Sequence, residues 1–159
     1  MVKYNDKRAE GYIWPCVLIV IVCMILSVFV MFADAVNITR QTERNSRVVL
    51  DNYVMQNSIV IYNSIKQGND KNTDLDSQIY TDALADFCTF ARNGGYLYNY
   101  DDDGNVQFYV SEPKLEFVKD KTLKIRVSYT VYVPIYFAGV RVDTAEIPIT
   151  VTSKFNEKF

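Results

Sequence analysis

One uncharged run, IWPCVLIVIVCMILSVFVMFA at positions 13–33, constrains this chain more than anything else in it. A bilayer's hydrocarbon core is about 30 Å thick and a helix rises about 1.5 Å per residue, so roughly 20 apolar residues span it. The run has 21. A core helix of that length would carry a polar face, whereas here only Ser27 breaks the apolar surface. A cleaved secretory signal has an apolar region of about 7–15 residues and then a small-x-small site. Met31-Phe32-Ala33 lacks the small residue at its start. The run therefore reads as a retained transmembrane helix.

Its flanks suggest an orientation. Residues 1–12, MVKYNDKRAEGY, hold Lys3, Lys7 and Arg8 against Asp6 and Glu10. Tyr12 and Trp14 fall where an interfacial aromatic belt would. The basic cluster points to a cytoplasmic segment 1–12 and an extracytoplasmic domain 34–159, although Arg40, Arg44 and Arg47 beyond the run weaken the asymmetry. Pro15 is expected in the first helical turn, where its missing N–H costs little.

Past position 33 remain 126 of the 159 residues, enough for one modest core. The net charge of −2 and the acidic pI of about 5.1 give no electrostatic footprint for nucleic acid. There is no histidine, which removes the commonest general base and metal ligand. No nucleophile elbow or catalytic dyad stands out, so neither an enzyme nor a cofactor is expected. Cys16 and Cys23 lie a heptad apart inside the apolar run and Cys88 is alone beyond it, so no disulfide framework can be drawn.

Residues 34–47 are polar without Gly or Pro. Leu50, Val54, Ile61 and Ile65, with Val48, Met55, Ile59 and Tyr62, then follow helical spacing. With no breaker before Gly68, the transmembrane helix is expected to continue into an amphipathic stalk helix over 34–67. Residues 69–77 are a polar loop. A second helix is expected over 79–93, with Ile79, Ala83, Phe87, Phe90 and Ala91 on one face and Gly94-Gly95 as its stop.

After Gly95 the period becomes 2. Strands at 96–100 and 106–110 flank Asp101-Asp102-Asp103-Gly104-Asn105, a hairpin signal, and a short strand follows at 114–118. Residues 122–137 are the clearest strand, with Leu123, Ile125, Val127, Tyr129, Val131, Val133, Ile135 and Phe137 pointing one way. Ala138-Gly139 turns the chain. The return strand shifts from Val140 and Val142 to Ala145, Ile147, Ile149 and Val151, which predicts a bulge near Asp143 and Thr144. Pro134 and Pro148 should face solvent at an edge or a bulge. The expected fold is α+β: a transmembrane helix, a long amphipathic continuation, a short second helix, and an antiparallel sheet of about 4–5 strands over 96–155.

Two features invite chemistry and are discounted. Asp101-x-Asp103-x-Asn105 opens like a calcium loop, but its glycine is misplaced and Pro113 follows the acid at position 12, so a solvated turn is expected and no metal. Cys88, on an apolar helix face, reads as core.

The layout nevertheless resembles a family. A short basic leader, Glu10-Gly11-Tyr12, one apolar helix running into an amphipathic one, and the C-terminal hairpin YTVYVPIYFAGVRVDTAEIPITV are similar to TadE-like proteins. These are the minor pilins or pseudopilins of tight-adherence (Tad) pilus systems, a bacterial branch of the type IV pilus and type II secretion machinery. The resemblance implies a pilin-like fold, no enzymatic activity, and an N-terminal helix that packs among pilin helices. Glu10 would aid subunit docking, with Pro15, Cys16 and Cys23 as helix-packing positions. Partners would be the lipid bilayer and pilin-like subunits or platform proteins. Asn5 stands where such prepilins carry the small residue before their cut, which implies an uncleaved component retained in the cell membrane. The rival expectation is a membrane-anchored extracytoplasmic sensor or ligand-binding module.

Overall fold

The computed structural model describes residues 7–66, 76–119, 123–137 and 139–154. The chain divides into two compact units, Met1–Asn37 and Ile38–Phe159. Helix α1, Lys7–Gln56, begins in the first and ends in the second.

In the first unit, the most apolar 18-residue stretch has a mean hydropathy of 3.2 and none of it is buried. A helix that exposes Val, Ile, Leu and Phe all round is suited to lipid, and by length and composition it can cross a membrane. The helix starts before the apolar run, at Lys7, so Pro15 lies inside it and not in its first turn. Lacking an N–H, Pro15 leaves the carbonyl of Gly11 without its usual donor four residues on.

In the second unit the expected unbroken helix over 34–67 is interrupted. α1 stops at Gln56, Asn57 forms a turn, and α2 runs Ser58–Lys66. Asn57 is the cause: its Nδ2 donates to the Tyr53 carbonyl at 2.9 Å, the same acceptor its backbone N–H uses at 3.0 Å. A side chain that shares a helical acceptor with the backbone perturbs the turn. The Ile61 N–H still donates to the Asn57 carbonyl at 3.0 Å, so the chain resumes as helix at once.

α3 covers Ser77–Cys88, capped by Asp76, whose Oδ1 accepts from the Gln78 N–H at 2.8 Å. It ends five residues short of the expected 93. Thr89 takes a left-handed conformation (φ 55°), and the Phe90 N–H closes the end on the Ala85 carbonyl at 2.8 Å. Ala91–Asn93 is strand β1, paired with β2, Tyr96–Tyr100. Gly94 and Gly95, expected as a helix stop, form the two-residue turn between them, both at positive φ (57° and 82°), as such hairpins require.

The remaining strands are β3, Val106–Ser111; β4, Lys114–Lys119; β5, Leu123–Phe137; and β6, Val140–Lys154. All pairings are antiparallel. β5 is the spine. β6 follows it along one side, while β3 and β4 lie end to end along the other. Val110 faces Val131 and Lys114 faces Ser128, so three residues between the first pair oppose two on β5. That one-residue excess is a bulge around Glu112 and Pro113, and Ser111 Oγ accepts there from the Thr130 N–H at 2.9 Å. Six strands thus occupy five positions, with β1 and β6 at the edges.

Within the β5–β6 hairpin Ile135 faces Asp143 and Tyr136 faces Arg141, making Val142 the extra residue. The bulge therefore falls just before the expected Asp143 and Thr144. Pro148 is exposed on the edge strand, where a missing donor is harmless. Pro134 is buried opposite Thr144, contrary to expectation, and lies outside the registers that β5 makes with β3 and β4.

One face of the sheet holds Leu97, Phe108, Val110, Ile125, Val127, Tyr129, Val131, Ile149 and Val151. The helices contribute Val49, Leu50, Tyr53, Val54, Ile61, Tyr80 and Leu84 to the same core. Among the described residues, two hydrogen bonds tie α1 to the sheet. Tyr129 Oη donates to the Thr42 carbonyl at 3.3 Å, and Ser153 Oγ donates to Asp51 Oδ1 at 2.6 Å.

Candidate functional site

The opposite face of the sheet carries a tyrosine array. Alternation along β2 sends Tyr96, Tyr98 and Tyr100 to the side away from buried Leu97. Register then places Tyr98 opposite Tyr109, and Tyr109 opposite Tyr132. Tyr109 and Tyr132 stack with centroids 4.8 Å apart at 8°, and Tyr98 and Tyr109 at 5.3 Å and 27°. Tyr96 meets Tyr109 and Tyr132 edge-on at 5.5 and 5.9 Å, and Tyr100 stacks on Tyr98 at 6.2 Å. Rings stacked across strands turn their faces to one another and leave edges and hydroxyls to solvent. Such pairs contribute about 0.5–1.5 kcal/mol each beyond their buried area. Tyrosine combines rigid contact area with a polar tip, the combination enriched at protein interfaces. Sequence reading missed this site. The alternating Tyr96-x-Tyr98-x-Tyr100 was visible, but its alignment with Tyr109 and Tyr132 depends on register.

A shallow groove of about 720 Å³ opens between the start of α3 and the bulge of β3–β4, lined by Asp76, Ser77, Gln78, Thr81, Arg92, Glu112 and Pro113. Arg92 bridges it, with Nη1 to Asp82 at 2.9 Å and Nη2 to Glu112 at 2.7 Å. The Glu112 hydrogen bond, chiefly, raises the guanidinium's pKa. One cation already held by two carboxylates has no charge left for an anionic ligand, so the groove is a structural tie between α3, β1 and the bulge.

The buried polar cluster is likewise structural. Ser46 Oγ and Tyr80 Oη lie 2.6 Å apart, and Tyr80 Oη reaches the Ser46 carbonyl at 3.1 Å. Burial pushes the phenols of Tyr80 and Tyr129 well above their ordinary pKa, the hydrogen bonding of Ser46 offsetting this in part. Burial also raises the Cys88 thiol, partly offset by Asn45, whose Nδ2 donates to Sγ at 3.6 Å. A thiol held protonated is a poor nucleophile.

In the turn after β2, Asp101 Oδ1 accepts from the backbone N–H groups of Asp103 and Asn105 at 3.1 and 2.7 Å, which occupies the carboxylate with the turn itself. Among the described residues no group of three or more Cys, Asp or Glu side chains is placed to hold a metal ion. Pro15, Cys16 and Cys23 are exposed in the first unit, and Cys16 and Cys23, seven residues apart, share a helix face. Glu10 lies within α1, but its side chain falls outside the described residues, as does Asn5 altogether. No family model, curated protein or solved structure matches the chain.

Proposed function

We propose that this chain is a non-enzymatic, single-pass membrane protein that acts as a pilin-like component of a Tad or type IV-like pilus or secretion apparatus. The observation that carries this reading is α1. One helix supplies an apolar segment with no buried residue and then core residues of an antiparallel-sheet domain, Val49, Leu50, Tyr53 and Val54. A helix used twice in this way suits a subunit that packs its N-terminal part against like helices while a folded domain stays outside the membrane. Residues 1–12 would then be cytoplasmic and residues 34–159 extracytoplasmic, with Glu10 meeting a neighbouring chain.

Disulfide or maleimide crosslinking in native membranes tests this directly through Cys16 and Cys23. Capture of a pilin-like helix is expected at one of them. If both sites yield only lipid-exposed, uncoupled chain while the pilus or secretion genes are expressed, the assembly role fails.

The tyrosine array favours a second reading, an anchored module whose outer sheet face binds an envelope partner. Tyr98→Ala combined with Tyr132→Ala separates the two. Loss of partner capture with Cys16 and Cys23 crosslinks retained assigns recognition to the sheet face. Retained capture assigns it to the helix.

A further inference from the structure

The β5–β6 hairpin outruns the rest of the sheet. β3 registers with β5 only at Val131 and Tyr132, so among the described residues the ribbon from Val133 to Ala145 pairs only with itself. Around its turn at Gly139 the exposed large apolar side chains among the described residues are Ile135, Tyr136, Val140 and Val142, the last two 67% and 66% exposed. Arg141 is the one charged residue from Pro134 to Val142. Ile135, Tyr136, Val140 and Val142 thus lie outside the domain's buried core.

Two hydrogen bonds give the hairpin a direction. Tyr129 is tied to Thr42, and Ser153, which pairs with Ile125, is tied to Asp51. From Asp51 to Thr42 the helix advances about 13 Å at ~1.5 Å per residue. From Ile125 to Tyr129 the strand advances about 13 Å at ~3.3 Å per residue. Equal advances mean that helix and strand run side by side, and that β5 beyond Tyr129 heads toward the Ile38 end of the domain. The tip lies about 26 Å past Tyr129, whereas Ile38 is only about 6 Å past Thr42. The hairpin therefore overhangs that end by about 20 Å.

Ile38 is also where the domain joins the apolar run, which ends at Ala33. Five residues reach at most about 18 Å even when fully extended. A bilayer holding residues 13–33 therefore has its surface no more than about 18 Å from Ile38, at the end of the domain toward which the hairpin points. We propose that the tip of the β5–β6 hairpin, Tyr136, Val140 and Val142 with Arg141, docks into the interfacial layer of that bilayer, a placement that rests on the membrane-anchored reading above. The side chains suit the site. Tyr is at home at the headgroup level, the valines enter the acyl boundary, and Arg141 can turn its guanidinium back to lipid phosphates. Arg40 and Arg44, exposed near the same end of the domain, add attraction to anionic headgroups.

Trp14 is the only tryptophan, which makes the test clean. Full-length protein carrying Trp14→Phe and Val140→Trp is reconstituted in phosphatidylcholine–phosphatidylglycerol vesicles, with and without lipids brominated near the headgroup. The native chain serves as reference. The expected result is a blue-shifted emission from the introduced indole, quenched by brominated lipid to a degree comparable with Trp14 in the native chain. Trp14 quenched but the introduced indole red-shifted and unquenched would leave the anchor standing and overturn the hairpin contact. A blue-shifted but unquenched indole would overturn it too, since a second copy or another protein would then cover the tip. An unquenched Trp14 would instead remove the anchored reading on which the placement depends. Val142→Trp repeats the measurement at a second exposed site, so a local folding defect at one position does not decide the outcome.

Discussion

Tyr80 organises polar groups in the interior of the second unit, the head of the chain. It is fully buried, and its hydroxyl serves both Ser46 Oγ and the Ser46 carbonyl. Tyr80→Phe strands a buried hydroxyl and should cost about 1–3 kcal/mol, read as a lower urea midpoint with an unchanged slope. The same residue sets an alkaline limit. Its folded pKa is raised by burial, as is that of Tyr129, so the folded state holds protons that the unfolded state releases above pH ~10. Stability from these phenols is therefore complete below that pH and falls as pH climbs beyond it. Tyr80→Phe should make that fall shallower even as it lowers stability at neutral pH, which urea titrations at pH 8 and above would show. Cys88, raised by burial, should react with thiol reagents far more slowly in the folded head than in urea.

Among the elements, what could be read from sequence depended on whether a local signal met a competing long-range one. β5 was legible because its alternation is long: Ile125, Val127, Tyr129, Val131 and Val133 all face the core. The phase change that marks the β6 bulge was legible too, displaced to Val142. The end of α3 was not. Phe90 and Ala91 continue a helical face, but the Gly94-Gly95 turn lets residues 91–93 pair with β2, and pairing outweighs a few residues of weak helical periodicity. Asn57 escaped notice because a single Asn is a common helix residue until its amide takes the Tyr53 carbonyl. The tyrosine array shares this cause, since register decides which tyrosines meet. Two substitutions check the local devices. Asp76→Ala removes the α3 cap and should cost about 1 kcal/mol in chemical unfolding. Gly95→Ala meets no steric neighbour, yet its φ of 82° disfavours any L side chain, so a cost of about 1 kcal/mol should come from backbone strain.

At the scale of the whole chain, the division into two units separates the folded core from the run that is long and apolar enough to cross a membrane. Every buried side chain named for the core lies between Thr42 and Ser153, inside the second unit. The exposed apolar residues from Ile13 to Phe32 contribute nothing to that core, and apolar surface of this extent is disfavoured in water. Damage to one unit should therefore leave the other intact. Val20→Asp puts a charge in the middle of the apolar run at a cost of about 2.5–3.5 kcal/mol for insertion. Membrane fractionation should show more of this variant in the soluble fraction, with its near-UV spectrum and urea midpoint unchanged. Conversely, Leu50→Ala, at a site with no solvent exposure, should cost about 2–5 kcal/mol of head stability and leave membrane retention as it was. A Val20→Asp chain that stayed fully membrane-bound would mean that the head or a partner does the anchoring. A Leu50→Ala chain that left the membrane would mean that folding and insertion are coupled. Either result would overturn the separation of roles along α1, since that helix is the one element the two units share.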